Sequence, residues 1–309
     1  MTGAPGLSNP QKAALTGAAL TILNTLVGVT ADASAKDLVS SHAAPQLMAL
    51  SGLLAVGVGL GLSAAGQGRM ILGTATPGRV ALRSCLGALS TLGFFLALRD
   101  LPFAELFPFM ALMPIMGAAL SALILREQIG ARVWMALACG LTGMLILFPD
   151  GVHGIAAGHV YGFGASLAGA ASIVLSRGIS RNHTHAFAQV FYAQLACALL
   201  GLLALPFVWH PMSLGDLGLL AVYTGFLLTT RWLMVMIVRL LPAYVAMQIA
   251  NVQFVWMVSI GYLMFGEATG AHVWLGAGLI VASGIWLLQA QRPSPSPETA
   301  PAAPPVPAE

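Results

Sequence analysis

Apolar residues run in long unbroken stretches along this chain, and polar residues are concentrated in the short gaps between them. Ten stretches each approach the roughly 20 residues that a helix needs to cross a bilayer core. They fall at 15–37, 44–64, 80–99, 103–125, 132–148, 155–176, 187–208, 216–239, 243–265 and 272–289. They are far longer than the alternating segments of a membrane barrel, and a helix satisfies its own backbone hydrogen bonds in lipid. The pattern predicts an all-α integral membrane protein with ten transmembrane helices. The first stretch is the least clean, because Asp32 and Lys36 sit near its end. Short gaps make successive helices antiparallel. Residues 1–14 form an N-terminal segment. The tail 291–309, ending "RPSPSPETAPAAPPVPAE", is rich in proline and alanine without apolar periodicity and reads as disordered. The first stretch is too long for the core of a signal peptide and lacks an evident cleavage site.

Composition agrees. Of 309 residues, 58% are hydrophobic and 7% charged, against about 25% charge in soluble domains. Such a chain lacks the polar surface to cover itself in water. The net charge of +3 gives no reason to expect nucleic acid. Cys85, Cys139 and Cys197 all lie within apolar runs, an odd count that argues against a disulfide framework.

The positions of the few charges set the orientation, since lysine and arginine favour cytoplasmic loops. With the N-terminus inside, Lys12, Arg69, Arg79, Arg83, Arg126, Arg132, Arg177, Arg181, Arg239 and Arg292 face the cytoplasm. Only Lys36 and Arg99 face outward, and Arg231 lies within a span. Both termini are therefore expected in the cytoplasm.

One corner is written twice. "LREQIGARVW" (Leu125 to Trp134) and "FGEATGAHVW" (Phe265 to Trp274) share Glu-x-x-Gly-Ala-x-Val-Trp, 140 positions apart. Arg99, Leu101 and Pro102 recur as Arg239, Leu241 and Pro242 at the same offset, and Leu123 as Leu263. The chain thus divides into five-helix repeats at 15–150 and 151–290. Five is odd, so the second repeat is inverted, as in many secondary transporters. Glu127 is expected on the cytoplasmic side and Glu267 on the outer side. Each carboxylate precedes a helix, where it would meet free N–H groups and the positive end of the dipole. Gly130 and Gly270 would permit a tight turn. A direct part for either Glu in moving substrate or protons is the alternative.

Several stretches resemble the drug/metabolite transporter superfamily, in particular its ten-helix EamA-type members. "RSCLGALSTLGFFLALRDLPFAELFPFMALMPIMGAALSALILREQIG" is similar to that family's third and fourth helices, with Arg83 entering the third and Pro114 inside the fourth. "GLTGMLILFPDG" looks like the end of a first repeat, Arg177 in "LSRGIS" like the basic residue after helix six, and "FGEATGAHVWLGAGLIVASGIWLL" like a closing helix. The resemblance covers about 15–290. It departs at Ser51, where many relatives carry Arg, and at Asn251, where many carry Tyr. It implies an inner-membrane carrier of small metabolites, often amino acids or related solutes, with a central cavity between the halves. Some members are labelled S-adenosylmethionine carriers.

Polar groups at membrane depth are costly and raise functional questions. Arg231 in "LLTTRWLMVM" has no acidic residue at matching depth. It either holds a substrate carboxylate or phosphate or snorkels to the cytoplasmic interface. Asp32 and Lys36, four apart, form a gate or proton-coupling pair, or an interfacial ion pair; the resemblance covers them too. Gln248, Asn251 and Gln253 in the ninth span, Asn24 in the first and Gln194 in the seventh either bind a polar solute or hold helices together. Pro108 and Pro114 bend the fourth span, as a hinge or as a fixed kink. Aromatic residues including Phe95 and Tyr223 wall a site or meet lipid, and Gly57, Gly61, Gly276 and Gly284 permit close packing. His183 and His185 are too few for a metal site, and no cofactor is expected.

The sequence has no His-Glu-x-x-His, nucleophile elbow or P-loop, which argues against an enzyme and against a nucleotide-driven pump. The reading is a secondary active transporter of small metabolites working by alternating access. The alternatives are multidrug or cation efflux, S-adenosylmethionine-type uptake and a lipid-linked flippase subunit. Its partners are a small-molecule substrate and the bilayer. Small-residue helix faces leave a homodimer open.

Overall fold

A computed structural model of the chain describes residues 9–62, 72–100, 103–147, 157–181, 185–256 and 271–290, with the backbone alone at some helical positions such as 32–37 and 103–108. Among these residues every regular element is helical. In chain order they are α1 (Asn9–Ser41), α2 (Ala44–Leu62), α3 (Pro77–Asp100), α4 (Phe103–Leu125), α5 (Ala131–Leu147), α6 (Ala157–Ser180), α7 (Ala186–Val208), α8 (Leu214–Leu240), α9 (Ala243–Ala250) and α10 (Ala271–Ala290). Each covers one apolar stretch of the sequence. Six of the described helices, α1 to α3 and α6 to α8, contain a window long and apolar enough to cross a membrane. Phe109–Leu125 and Trp274–Ala290 are shorter apolar helices. Large side chains such as Leu203 (75%), Phe207 (88%) and Leu214 (89%) stand exposed. Hydrocarbon removes the cost that water would impose on them, so the chain is a multi-pass membrane protein.

The helices pack in a definite order. α3 lies on α6 and α1 on α8; α2 lies on α7, α5 on α10, and α4 on α9. Small residues make the closest approaches, as expected where dispersion rather than hydrophobicity drives association. A Cβ built on Gly52 would stand 2.8 Å from the Ala198 backbone nitrogen, and one on Gly201 2.5 Å from that of Ala49. The α5–α10 pair is as tight: Gly143 faces the Gly276 carbonyl, and Ser283 donates to the Ala136 carbonyl at 2.8 Å. The largest buried cluster joins Ala118, Leu137, Ile237, Val245, Ile249 and Leu287.

Two local expectations are corrected. Glu127 does not cap α5. Its Oε1 accepts from Arg177 Nε at 3.0 Å and from Arg181 Nη2, and its Oε2 meets no α5 amide. A guanidinium brings a full charge where a helix end offers only partial ones, so the arginines win. The sharp reversal before α5 also falls elsewhere: Arg126 has φ 53°, whereas Gly130 has no such angle. The second copy of the corner, Glu267 and Gly270, lies outside the described residues.

The ninth stretch is not one continuous helix. α9 stops at Ala250, Asn251 forms a turn whose N–H reaches the Gln248 carbonyl at 3.2 Å, and residues 252–256 are helical again. The backbone stays paired through the turn, with the Asn251 carbonyl accepting from the Phe254 N–H at 3.1 Å.

Candidate functional site

The break at Asn251 opens onto a central cavity of about 240 Å³ bounded by α1, α4, α6, α8 and α9. Its polar wall carries Asn24 and Thr25 from α1, Thr230 from α8, and Asn251 and Gln253 from the broken ninth span. Its apolar wall carries Met110, Met113, Met234 and Met247. Thioethers are soft and polarisable, and unbranched Met chains adapt to irregular shapes. Thr25 and Thr230 spend their hydroxyl protons on carbonyls one turn back, Ile22 and Leu227, so they offer only lone pairs to a guest. Asn24 Oδ1 and Asn251 Nδ2 are buried without a protein partner. One is an acceptor and the other a donor, and each unmet group carries a desolvation cost.

A smaller chamber of about 20 Å³ shares Tyr223 and Leu227 with the cavity. Its polar lining is Ser51, Thr91, Gln194 and Arg231, with Cys197 and Phe95 beside them. The Arg231 guanidinium points here, donating a long hydrogen bond of 3.4 Å to Thr91 Oγ1. Thr91 and Arg231 are 140 residues apart, the same offset that separates the two written corners.

Arg83, on α3, is a second guanidinium within the helices. It is 7% exposed and donates to the Gln189 carbonyl, leaving Nε unpartnered. A buried network fixes it: Ser172 donates to the Arg83 carbonyl at 2.8 Å, Ser176 to Gln189 Oε1 at 2.7 Å, and Gln189 Nε2 to Ser180 at 2.9 Å. Among the described residues neither Arg83 nor Arg231 meets a carboxylate.

The structure thus gathers Asn24, Asn251 and Gln253 in one cavity and sets Arg231 just beyond it. Gln248 goes elsewhere. It is 1% exposed and its amide fits against Gly140, where an added Cβ would stand 2.1 Å from Nε2. Pro114 is buried within an α4 that stays helical through it. The side chains of Asp32, Lys36 and Pro108, and His183, lie outside the described residues; His185 caps α7 by accepting from the Phe187 N–H. Sequence reading missed Thr91, which precedes Arg231 by the same 140 positions that separate the two written corners. A larger crevice of about 320 Å³ between α2, α3 and α7 is lined only by apolar residues and glycine, including exposed Leu203 and Phe207. It faces lipid and offers nothing to a polar solute.

On the cytoplasmic side predicted from charge, Arg177 donates to Glu127 and to the Val238 and Leu241 carbonyls at the end of α8. This clasp joins the α4–α5 corner, the last turn of α6 and the α8–α9 turn.

No protein-family profile matches the chain. Among curated proteins it is similar to the pseudopaline exporter CntI of Pseudomonas aeruginosa, 26% identical over 219 residues, spanning 68% of this chain and 75% of that one. Among solved structures, one crystal structure at 19% identity superposes with a TM-score of 0.67 over 91% of this chain and 98% of the other. The second likeness shows that the fold is one found in nature. The first, together with the apolar helices, places the chain with membrane transporters and not with enzymes.

Proposed function

We propose that the chain is a secondary active carrier of small organic metabolites, amino acids or related solutes, of the EamA type within the drug/metabolite transporter superfamily. It sits in an inner membrane with both termini in the cytoplasm. Two inverted five-helix repeats, 15–150 and 151–290, rock about the central cavity. The helix pairings support this arrangement: exchanging each helix for the one five places along turns the α3–α6 contact into α8–α1, and leaves α2–α7, α4–α9 and α5–α10 paired with themselves. The Thr91–Arg231 contact at the repeat offset supports it too, since a residue meets its own counterpart only near the axis relating two repeats. Export is the direction favoured by the relative's description as an exporter.

The observation that carries the reading is the cavity itself, polar on one wall, apolar on the other, beside an uncompensated guanidinium. A solute with a carboxylate would place it toward Arg231 and its remaining polar groups against Asn24, Asn251 and Gln253. Asp32 and Lys36 would gate or couple the cycle from the outer end of α1. The test is transport of radiolabelled amino acids and related carboxylates by proteoliposomes holding the full chain. Arg231→Ala should reduce transport by about tenfold to a hundredfold, the equivalent of a hydrogen bond to a charged group at about 1.5–3 kcal/mol. Unchanged transport by a correctly inserted variant would overturn the role given to Arg231.

A further inference from the structure

The chamber beside the cavity has a size and a chemistry of its own. At about 20 Å³ it exceeds the roughly 10–15 Å³ that admits one water-sized occupant, and it is far smaller than the central cavity. One guanidinium serves it: Arg231 lines it. The hydroxyls on its wall are already spent. Ser51 donates to the Leu47 carbonyl at 2.6 Å, and Thr91 to the Gly87 carbonyl at 3.0 Å. Gln194 is different. It is 2% exposed, lines the chamber, and makes no hydrogen bond to the protein among the described residues. An amide buried this deeply without a partner is costly, as is a guanidinium at membrane depth without an anion.

We infer that Arg231 and Gln194 form a binding site for one small monoanionic group. The occupant is a halide or the end of a single carboxylate. Arg231 and the Gln194 amide donate to it. Phosphate, sulfate and sulfonate are excluded, because a tetrahedral oxyanion needs more room than the chamber has. The inference deepens the proposed function by narrowing the cargo to carboxylates when the anion is part of the cargo. It stands separately when the anion is a free halide that compensates Arg231 throughout the cycle.

Thermal unfolding of the detergent-purified full chain, in sodium chloride, acetate, sulfate and phosphate at matched ionic strength, tests it without requiring transport. A ligand that binds only the folded state raises the midpoint with its concentration. The expected result is a saturable rise in chloride, acetate or both, over sulfate and phosphate. A rise in chloride alone identifies a free halide, and a rise in acetate identifies a carboxylate. Gln194→Leu should remove the preference. Gln194→Glu carries its own anion, so it should lose the salt preference and match the chloride or acetate midpoint even in sulfate. Equal midpoints in all four salts overturn the inference, as does an undiminished preference in both variants. If the anion effect holds while Arg231→Ala still transports, the cargo contact fails and the anion site stands. If Arg231→Ala loses transport with no anion effect, only the anion site fails.

Discussion

Arg177→Ala lowers the stability of the purified protein by about 3 kcal/mol, the low end of what removing one partner of a buried ion pair costs. The low end applies because both side chains keep 16% of their surface exposed. Three acceptors lose a donor at once: the Glu127 carboxylate, which keeps only the exposed Arg181, and the Val238 and Leu241 carbonyls. The carbonyls belong to the end of α8, where no further helical N–H is available to them. Glu127 Oε2 is buried without a partner among the described residues. Arg181→Ala is the control. Its side chain is 50% exposed, and an ion pair in such a position contributes under about 1 kcal/mol. Unfolding followed by tryptophan fluorescence or by loss of the monodisperse chromatographic peak ranks the two. Equal effects would mean that the clasp acts as a diffuse surface cluster rather than through Arg177. Glu127→Gln should fall between them, since it removes the charge and keeps an acceptor.

Gly201→Val leaves little folded protein. The added Cβ would lie 2.5 Å from the Ala49 nitrogen and 2.6 Å from the Pro45 carbonyl oxygen. These are backbone atoms of a helix and cannot swing aside, so α2 and α7 must separate along their length. Overpacking costs about 1–3 kcal/mol where side chains can adjust, and here they cannot, so the upper end is the floor. Gly57→Val, on α2 with nothing within 4 Å of its Cβ position, should fold at the wild-type level apart from a small change in helix propensity. The yield of monodisperse protein after extraction separates the two variants. Comparable yields would show that the α2–α7 contact is looser than its geometry.

Helix placement was legible among the described residues, because bilayer thickness sets the length of an apolar run independently of tertiary detail; six of those helices are long and apolar enough to cross a membrane. The site was legible in part. Asn24, Asn251, Gln253 and Arg231 stand out as polar groups at membrane depth, and the fold brings the first three to one cavity. Gln248 carries the same signal and goes to the α5–α10 interface, because a run of sequence does not say which neighbour a helix face will meet. The corner at Glu127 was misread for a related reason. Its partners arrive on α6, and only three-dimensional proximity reveals that a guanidinium outcompetes the helix end. The break at Asn251 has no proline or glycine to announce it in "MQIANVQF". The Thr91–Arg231 pair was within reach, since the repeat offset that relates the corners also relates these two residues.

The clasp bears on how the chain is made. Glu127 precedes Arg177 by 50 residues, and Arg177 precedes the Leu241 carbonyl by 64. A nascent chain therefore delivers the carboxylate first, the arginine only with the sixth helix, and the last acceptor only when the eighth is complete. Until then Glu127 lacks the two arginines it pairs with in the folded chain. The first five helices alone therefore cannot close the clasp. A stop codon in the 148–156 connection should thus yield a fragment that is degraded, while the same fragment supplied with residues 151–309 as a second chain should persist.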